Sequence, residues 1–286
     1  MQESAAGVDD SWDLVIKPKK SWYSLDLKSI WNYRDLLMLF VRRDFVSVFK
    51  QTILGPLWFV IQPLFTTLIY IIVFGNLANL ATDGIPRPVF YLSGVILWNY
   101  FSECLMKTSE TFIVNQALFG KVYFPRLIVP LSIVMSNFLK FGVQLILFAC
   151  IYFYFFLNGD ASLNSYILLL PVLVIIMAGL GLSFGLIVSS LTTKYKDLRF
   201  LIQFGVQLVM YASPIVYPLS IVPEKYKLLL ILNPATGVIE TFRFALFNVG
   251  EFNLFAFSYS CFSMIALLLI GTVIFNRMEK SFIDTV

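Results

Sequence analysis

The chain has no histidine, only three cysteines and little charge. Of its 286 residues, 13% are charged and 59% hydrophobic. Soluble globular chains carry about 25% charged residues. The missing histidine removes the commonest general base and the commonest transition-metal ligand. Cys104, Cys150 and Cys261 all sit in apolar stretches without CxxC spacing, which argues against a disulfide framework and against zinc. A Walker-type phosphate loop is also missing: Gly120-Lys121 runs into Val122, where Ser or Thr would have to stand to meet magnesium. No catalytic constellation and no metal site is expected, and any nucleotide would be bound by another chain. The first 30 residues are polar, with Asp9, Asp10, Lys17, Lys19 and Lys20, and lack the apolar core of a cleavable signal peptide.

Charge-free stretches take up most of the chain. No Asp, Glu, Lys or Arg lies between Lys50 and Asp83, Asp160 and Lys194, Arg199 and Glu224, or Glu251 and Arg277. Each gap exceeds the roughly 20 apolar residues that cross about 30 Å of hydrocarbon. With two further apolar runs, six spans are expected: about 57–74, 89–108, 127–157, 166–191, 200–217 and 252–275. The fold class is therefore an all-α membrane protein. Residues 31–50 precede the spans as an amphipathic helix, with Leu37, Val41, Phe45 and Val48 on one face and Arg42 and Arg43 elsewhere on the wheel. Such a helix belongs in the membrane interface; the plainer alternative is a lead-in to the first span. The chain divides into an N-terminal segment 1–30, this helix, a transmembrane domain 51–276 and a tail 277–286.

Residues 213–250 break the pattern. Pro214, Pro218, Pro223 and Pro234 leave two apolar pieces, 228–232 and 238–247, each too short to span. A re-entrant helical hairpin fits, since non-spanning backbone at membrane depth must pack in protein or face water. Two helices lying flat on the surface are the alternative. Sixteen of the 21 Lys and Arg fall on one side of this topology, against Arg87, Lys225, Lys227 and Arg243 on the other. The positive-inside rule then places both termini in the cytoplasm.

Few side chains within the spans carry chemistry. Glu103, Lys107 and Glu110 are spaced i, i+4, i+7 on span 2. They read as a proton or ion relay, or as an ion pair supporting the next loop. Lys140 reads as a snorkelling lysine in an overlong span. Gly181 and Gly185 form GxxxG, suited to dimerisation or to packing within the chain. Aromatics make up 17% of the residues. Most suit lipid contacts and interfacial belts. Spans 1 and 5 stand apart by combining Trp or Tyr with Gln62, Gln203 and Gln207. Sugar rings can stack their C–H faces on such aromatics.

Several local motifs resemble those of a known family. They are Tyr33-Arg34-Asp35-Leu36-Leu37, Arg43-Asp44, Leu54-Gly55-Pro56-Leu57-Trp58 with Gln62-Pro63, Lys121-Val122-Tyr123-Phe124-Pro125-Arg126, Asn233-Pro234 and Glu279-Lys280-Ser281-Phe282. With the order of elements, they resemble the ABC-2 type exporter permeases, in particular those of O-antigen, capsule and teichoic-acid polysaccharides. The resemblance runs from about Trp12 to the C-terminus. It implies a homodimer of this chain with two separate ABC ATPase subunits, which hold ATP and magnesium, in the bacterial inner membrane. It implies a lipid-linked glycan as cargo and no nucleic acid. Asn115, Phe119, Lys121, Tyr123 and Arg126 would couple to the ATPase, aided by Arg42 and Arg43. Trp58, Gln62, Phe65, Gln207, Tyr211 and Tyr217 would line the substrate pathway. An exporter of a smaller lipid or drug with the same fold, a proton-coupled secondary transporter and a membrane glycosyltransferase are the rival readings.

Overall fold

The computed structural model describes residues 27–50, 52–159, 164–195, 197–250 and 252–283. The N-terminal segment up to residue 26, Lys196 of the basic loop and residues 284–286 of the tail lie outside them, as do the side chains of Val48, Lys280, Ser281 and Phe282. Described residues form helices and connecting turns. The expected interface helix is two: α1 (Leu27–Asn32) and α2 (Arg34–Phe49). Between them Tyr33 leaves helical geometry, with φ −97° and ψ 20°. Phe40 and Val41 are buried, while Met38, Leu39, Arg42 and Arg43 are exposed. The apolar stripe thus packs on protein, against α7 (Ile128–Leu157). Gly55, at φ +50°, then turns the chain into the first span.

Among the described residues, five helices are long and apolar enough to cross a membrane. The first, Gly55–Leu77, starts as a 3-10 turn, continues as α3 (Trp58–Tyr70) and ends in a π-helical stretch, Ile71–Leu77. Pro63 stands within α3, where it removes one backbone hydrogen bond. The others are α4 (Arg87–Ser109), α7, the run Ser165–Thr192 that contains α8 (Leu170–Thr192), and α12 (Leu254–Ile283). Between α4 and α7 lie two short helices, α5 (Thr111–Val114) and α6 (Gln116–Phe119). The α12 helix runs through Arg277, so the expected tail begins as helix. At the centre stands α4, packed against α8 and α7, with α12 covering α8.

The Gly181-Gly185 pair is used within the chain. A Cβ at Gly181 would meet the Phe101 carbonyl oxygen at 2.8 Å, and one at Gly185 would meet Thr108. Both glycines let α8 lie directly against α4, where small residues allow close backbone approach. Gly185→Ala should therefore cost about 1–3 kcal/mol by overpacking. Thermal unfolding in detergent should show the loss, with the oligomeric state unchanged.

The fifth expected span is shorter than its apolar run. Helix α9 (Leu198–Tyr211) has 14 residues, about 21 Å at 1.5 Å per residue. The expected end at Tyr217 is corrected by Pro214, which biases Ser213 away from helical backbone. Ser213, Ile215 and Val216 turn into the core instead and are buried. A 3-10 turn, Leu219–Ile221, leads to α10 (Glu224–Ile231) and α11 (Pro234–Phe247), which meet at 101°. Asn233 caps α11 by accepting the Ala235 N–H at 3.1 Å, and Pro234 occupies the first turn, where no N–H is needed. Almost all of α11 is buried, while Leu228 and Leu229 of α10 are exposed. The burial of α11 and the sharp bend between the two helices fit a broken hairpin.

Candidate functional site

Three of the expected pathway residues recur along one face of α3. Trp58, Gln62 and Phe65 follow at i, i+4 and i+7, and Ile69 and Ile72 extend the stripe; all are exposed. The opposite stripe, Phe59, Pro63, Thr67 and Tyr70, is buried. Helix α9 has no buried residue. Its Gln203, Gln207 and Tyr211 lie at i, i+4 and i+8 and are all exposed. The two helices touch near their ends, where the Tyr70 hydroxyl lies 3.7 Å from the Met210 sulfur. Tyr217 is half-buried and donates to the Tyr211 carbonyl at 3.2 Å. Three uncovered glutamines stand on helices that are mostly apolar. An amide facing hydrocarbon goes unsatisfied at a cost of several kcal/mol. Protein or water must meet this face.

Aromatic packing builds a second site at the end that carries the basic loops. Phe112 stacks on Phe275 with centroids 4.7 Å apart, and the contacts Phe112–Phe119, Phe119–Phe124 and Phe124–Phe40 continue to α2 at 5.9, 5.8 and 5.8 Å. Arg126 lies 5.1 Å over the Phe119 ring and donates to the Glu279 carbonyl at 3.1 Å. Its burial pushes the guanidinium pKa below the ordinary value, against the opposing pull of Glu279. Of the expected coupling residues, Phe119 and Arg126 are buried and hold the loop in place. Asn115 is half-buried and donates to the Thr111 carbonyl at 3.0 Å, between α5 and α6. Lys121 and Tyr123 are exposed, as is Val122. Arg42 and Arg43 are exposed on α2, which the Phe40–Phe124 contact ties to the loop; Arg43 pairs with Asp44 at 2.7 Å.

Intramembrane charges are paired. Glu103 meets Lys107 at 3.5 Å and also Lys140 of α7, while Lys107 donates to Asn137 at 2.9 Å. Lys140 thus pairs across helices, where snorkelling alone was expected, and its ammonium lies 5.3 Å over the Phe59 ring. Glu110 meets Arg199 at 3.1 Å, joining the start of the loop to the start of α9. Both carboxylates are neutralised by cations, an arrangement that supports helix pairing. Glu103→Gln should cost about 1–3 kcal/mol by leaving two lysines on one partly buried site. A thermal melt reads that loss, and transport should continue in the folded fraction.

Sequence reasoning missed Arg243. Counted only as one cation of the hairpin side, it is 3% exposed and sits between α4, α11 and the segment after α9. It donates to the carbonyls of Pro214, Ile215 and Phe90 at 2.6, 2.9 and 3.2 Å. Nothing local to the sequence marks this role, apart from a charge within an apolar 14-residue stretch.

A bundle of membrane-length helices with a packed loop platform at one end defines a multi-pass membrane protein. Residues 35–247 match the family described as ABC-2 type transporter. The chain belongs to the ABC-2 type transporter membrane family. It is 30% identical over 251 residues to the O-antigen export system permease protein RfbA of Klebsiella pneumoniae, covering 87% of this chain and 94% of that protein. The RfbA permease of Myxococcus xanthus is 26% identical over 220 residues, 76% of this chain and 82% of that protein. The polysialic acid transport protein KpsM of Escherichia coli is 24% identical over 251 residues, 85% of this chain and 93% of that protein.

Proposed function

We propose that the chain is the permease subunit of an ATP-driven exporter that moves a lipid-linked polysaccharide such as O-antigen across the bacterial inner membrane, with both termini cytoplasmic. The observation that carries this reading is the uncovered face of α3 and α9, with Gln62, Gln203 and Gln207 among Trp58, Phe65 and Tyr211. A second copy of the chain brings such a face together with its own counterpart. Amides and aromatic rings then line one pathway, where hydroxyls meet Gln and sugar C–H faces meet rings. The ATPase stands on separate subunits, one for each copy. Its closure presses on the platform of α2, α5 and α6. The Glu110–Arg199 pair carries that displacement into α9, which has few contacts to resist it.

Paired Glu103 counts against proton coupling, because its charge is already balanced by Lys107 and Lys140. The test is display of surface glycan in cells lacking the native permease. The wild-type chain with its ATPase should restore display. Trp58→Ala with Tyr211→Ala should lower it at least about tenfold at equal expression, the size expected for losing anchors worth more than about 1 kcal/mol each. The purified chain alone should hydrolyse no ATP. Hydrolysis by the chain alone, or full display by the double variant, would overturn the assignment.

A further inference from the structure

We propose that α2 binds one anionic phospholipid in a basic groove on its outer face, with the phosphate on Arg42 and Lys50 and an acyl chain along Leu39 and Val46. The site is separate from the α3–α9 face and does not depend on the cargo read above. The stripe expected to meet the membrane is turned inward: Val41 is buried, and Phe45 stands 6.1 Å from the Phe59 ring of α3. A different face points out. Leu39, Arg42, Val46 and Lys50 recur on it at i, i+3, i+7 and i+11, and all four are exposed. A groove of about 550 Å³ runs along them, with Arg43 also in its lining. The Lys50 N–H still donates to the Val46 carbonyl at 3.0 Å, which fixes where the lysine side chain leaves the helix.

Charge complementarity selects the occupant. The groove holds three cations, and Arg43 spends its charge on Asp44 at 2.7 Å. Arg42 and Lys50 form no ion pair among the described residues. Two uncompensated cations on one surface call for an anion, and a guanidinium fork beside an ammonium suits phosphate oxygens. A free phosphate would leave the rest of the lining uncovered, since Leu39 is 61% exposed between the cations. A molecule with both a phosphate and a hydrocarbon chain covers both kinds of surface. Chain continuity sets the depth: Lys50 stands just before the span that starts at Gly55. Basic side chains there lay their stems on apolar surface and hold their charge at headgroup level. Each such cation gains about 1 kcal/mol from anionic lipid. Through the Phe40–Phe124 contact, a lipid held on α2 tethers the loop platform to the membrane surface.

The full chain, alone and with the ATPase, is titrated in neutral detergent with dioleoyl phosphatidylglycerol, and native mass spectrometry counts the lipids bound. One binding event per chain should weaken about fivefold in Arg42→Gln or Lys50→Gln and about 30-fold in the double variant, the equivalent of about 1 kcal/mol for each cation. Arg42→Lys should keep most of it. Lys194→Gln, which removes an exposed cation of another loop, should leave it unchanged. Melting temperatures should match the wild type, because both substituted side chains are exposed. Phosphatidylethanolamine, which has no net charge, and glycerol phosphate, which has no acyl chain, should compete poorly. Unchanged binding in the double variant, equal binding of phosphatidylethanolamine, or full competition by glycerol phosphate would overturn the site. Displacement of the lipid by the ATPase would overturn it in favour of a protein contact. Preference for an isoprenyl pyrophosphate over phosphatidylglycerol would overturn it in favour of a cargo contact.

Discussion

Replacing Arg243 by methionine should cost about 3–5 kcal/mol, the penalty for removing one member of a buried, fully bonded charged group. That is a large part of the roughly 5–15 kcal/mol by which domains are stable. Beyond the three carbonyls, its Nε donates to the Ser93 hydroxyl at 3.3 Å, its Nη1 to Glu240 at 3.4 Å, and its guanidinium lies 3.7 Å over the Phe90 ring. Gly94 makes the approach possible, since a Cβ there would stand 3.1 Å from the Arg243 Nη2. Methionine fills the space but leaves the carbonyls and the Glu240 carboxylate without their donor. Lysine should recover less than half of the loss, because one ammonium cannot reproduce a planar five-donor fork. Adding Glu240→Gln to Arg243→Met should recover about 1–3 kcal/mol, since the stranded charge is gone. Cys104 is fully buried, so its reaction with a thiol dye reports unfolding once Cys150 and Cys261 are replaced by alanine. Unchanged onset of that reaction in Arg243→Met would show that the clamp contributes nothing.

The clamp also explains how α9 is held. One end is tied through Arg199 to Glu110, and the other through Pro214 and Ile215 to Arg243. Asn233 adds a bond to the Ser213 hydroxyl at 2.7 Å. Between these ties the helix has no buried residue. It is anchored at both ends and rests on the core between them through Ile202, Val206 and Met210, none of them fully buried.

What the sequence made legible follows from how local each signal is. The spans could be read because charge gaps are contiguous and the bilayer sets one length. Residue type alone marks Trp58, Gln62 and Phe65 in the sequence, and the fold adds that they share one exposed face of α3. The hairpin could be read from four prolines. The end of α9 was misjudged because hydropathy continues to Tyr217, whereas Pro214 decides the backbone. The break at Tyr33 has neither proline nor glycine to announce it. Lys140 with Glu103 and Arg243 with Phe90 are separated by 37 and 153 positions, so only the folded chain brings them together. The fate of Gly181 and Gly185 depended on what α8 faces, which periodicity cannot tell.

Separating Tyr123 from Arg126 should split the loop into a contact and its support. Tyr123 is 65% exposed and Val122 52%, at the end of the bundle that carries the basic loops. Exposed tyrosine on a rigid turn is a common anchor of protein interfaces. Tyr123→Ala should weaken ATPase binding and the stimulation of its hydrolysis by about 30-fold, the equivalent of about 2 kcal/mol. The melting temperature should stay put, because the side chain is mostly exposed. Arg126→Ala should behave in the opposite way. It loses the Glu279 carbonyl bond and the Phe119 ring contact, worth together about 1–3 kcal/mol, so the melt shifts first and coupling falls only as the loop loses its shape. Charge reversal at Lys121, Arg42 or Arg43 should change mainly the association rate and its salt dependence, as exposed rim charges do. Pull-down of the ATPase by the detergent-solubilised chain, run beside melts of the same samples, distinguishes the three behaviours. A Tyr123→Ala chain that binds and stimulates the ATPase normally would move the contact off this loop, and α2 with Arg42 and Arg43 would then be the surface to test.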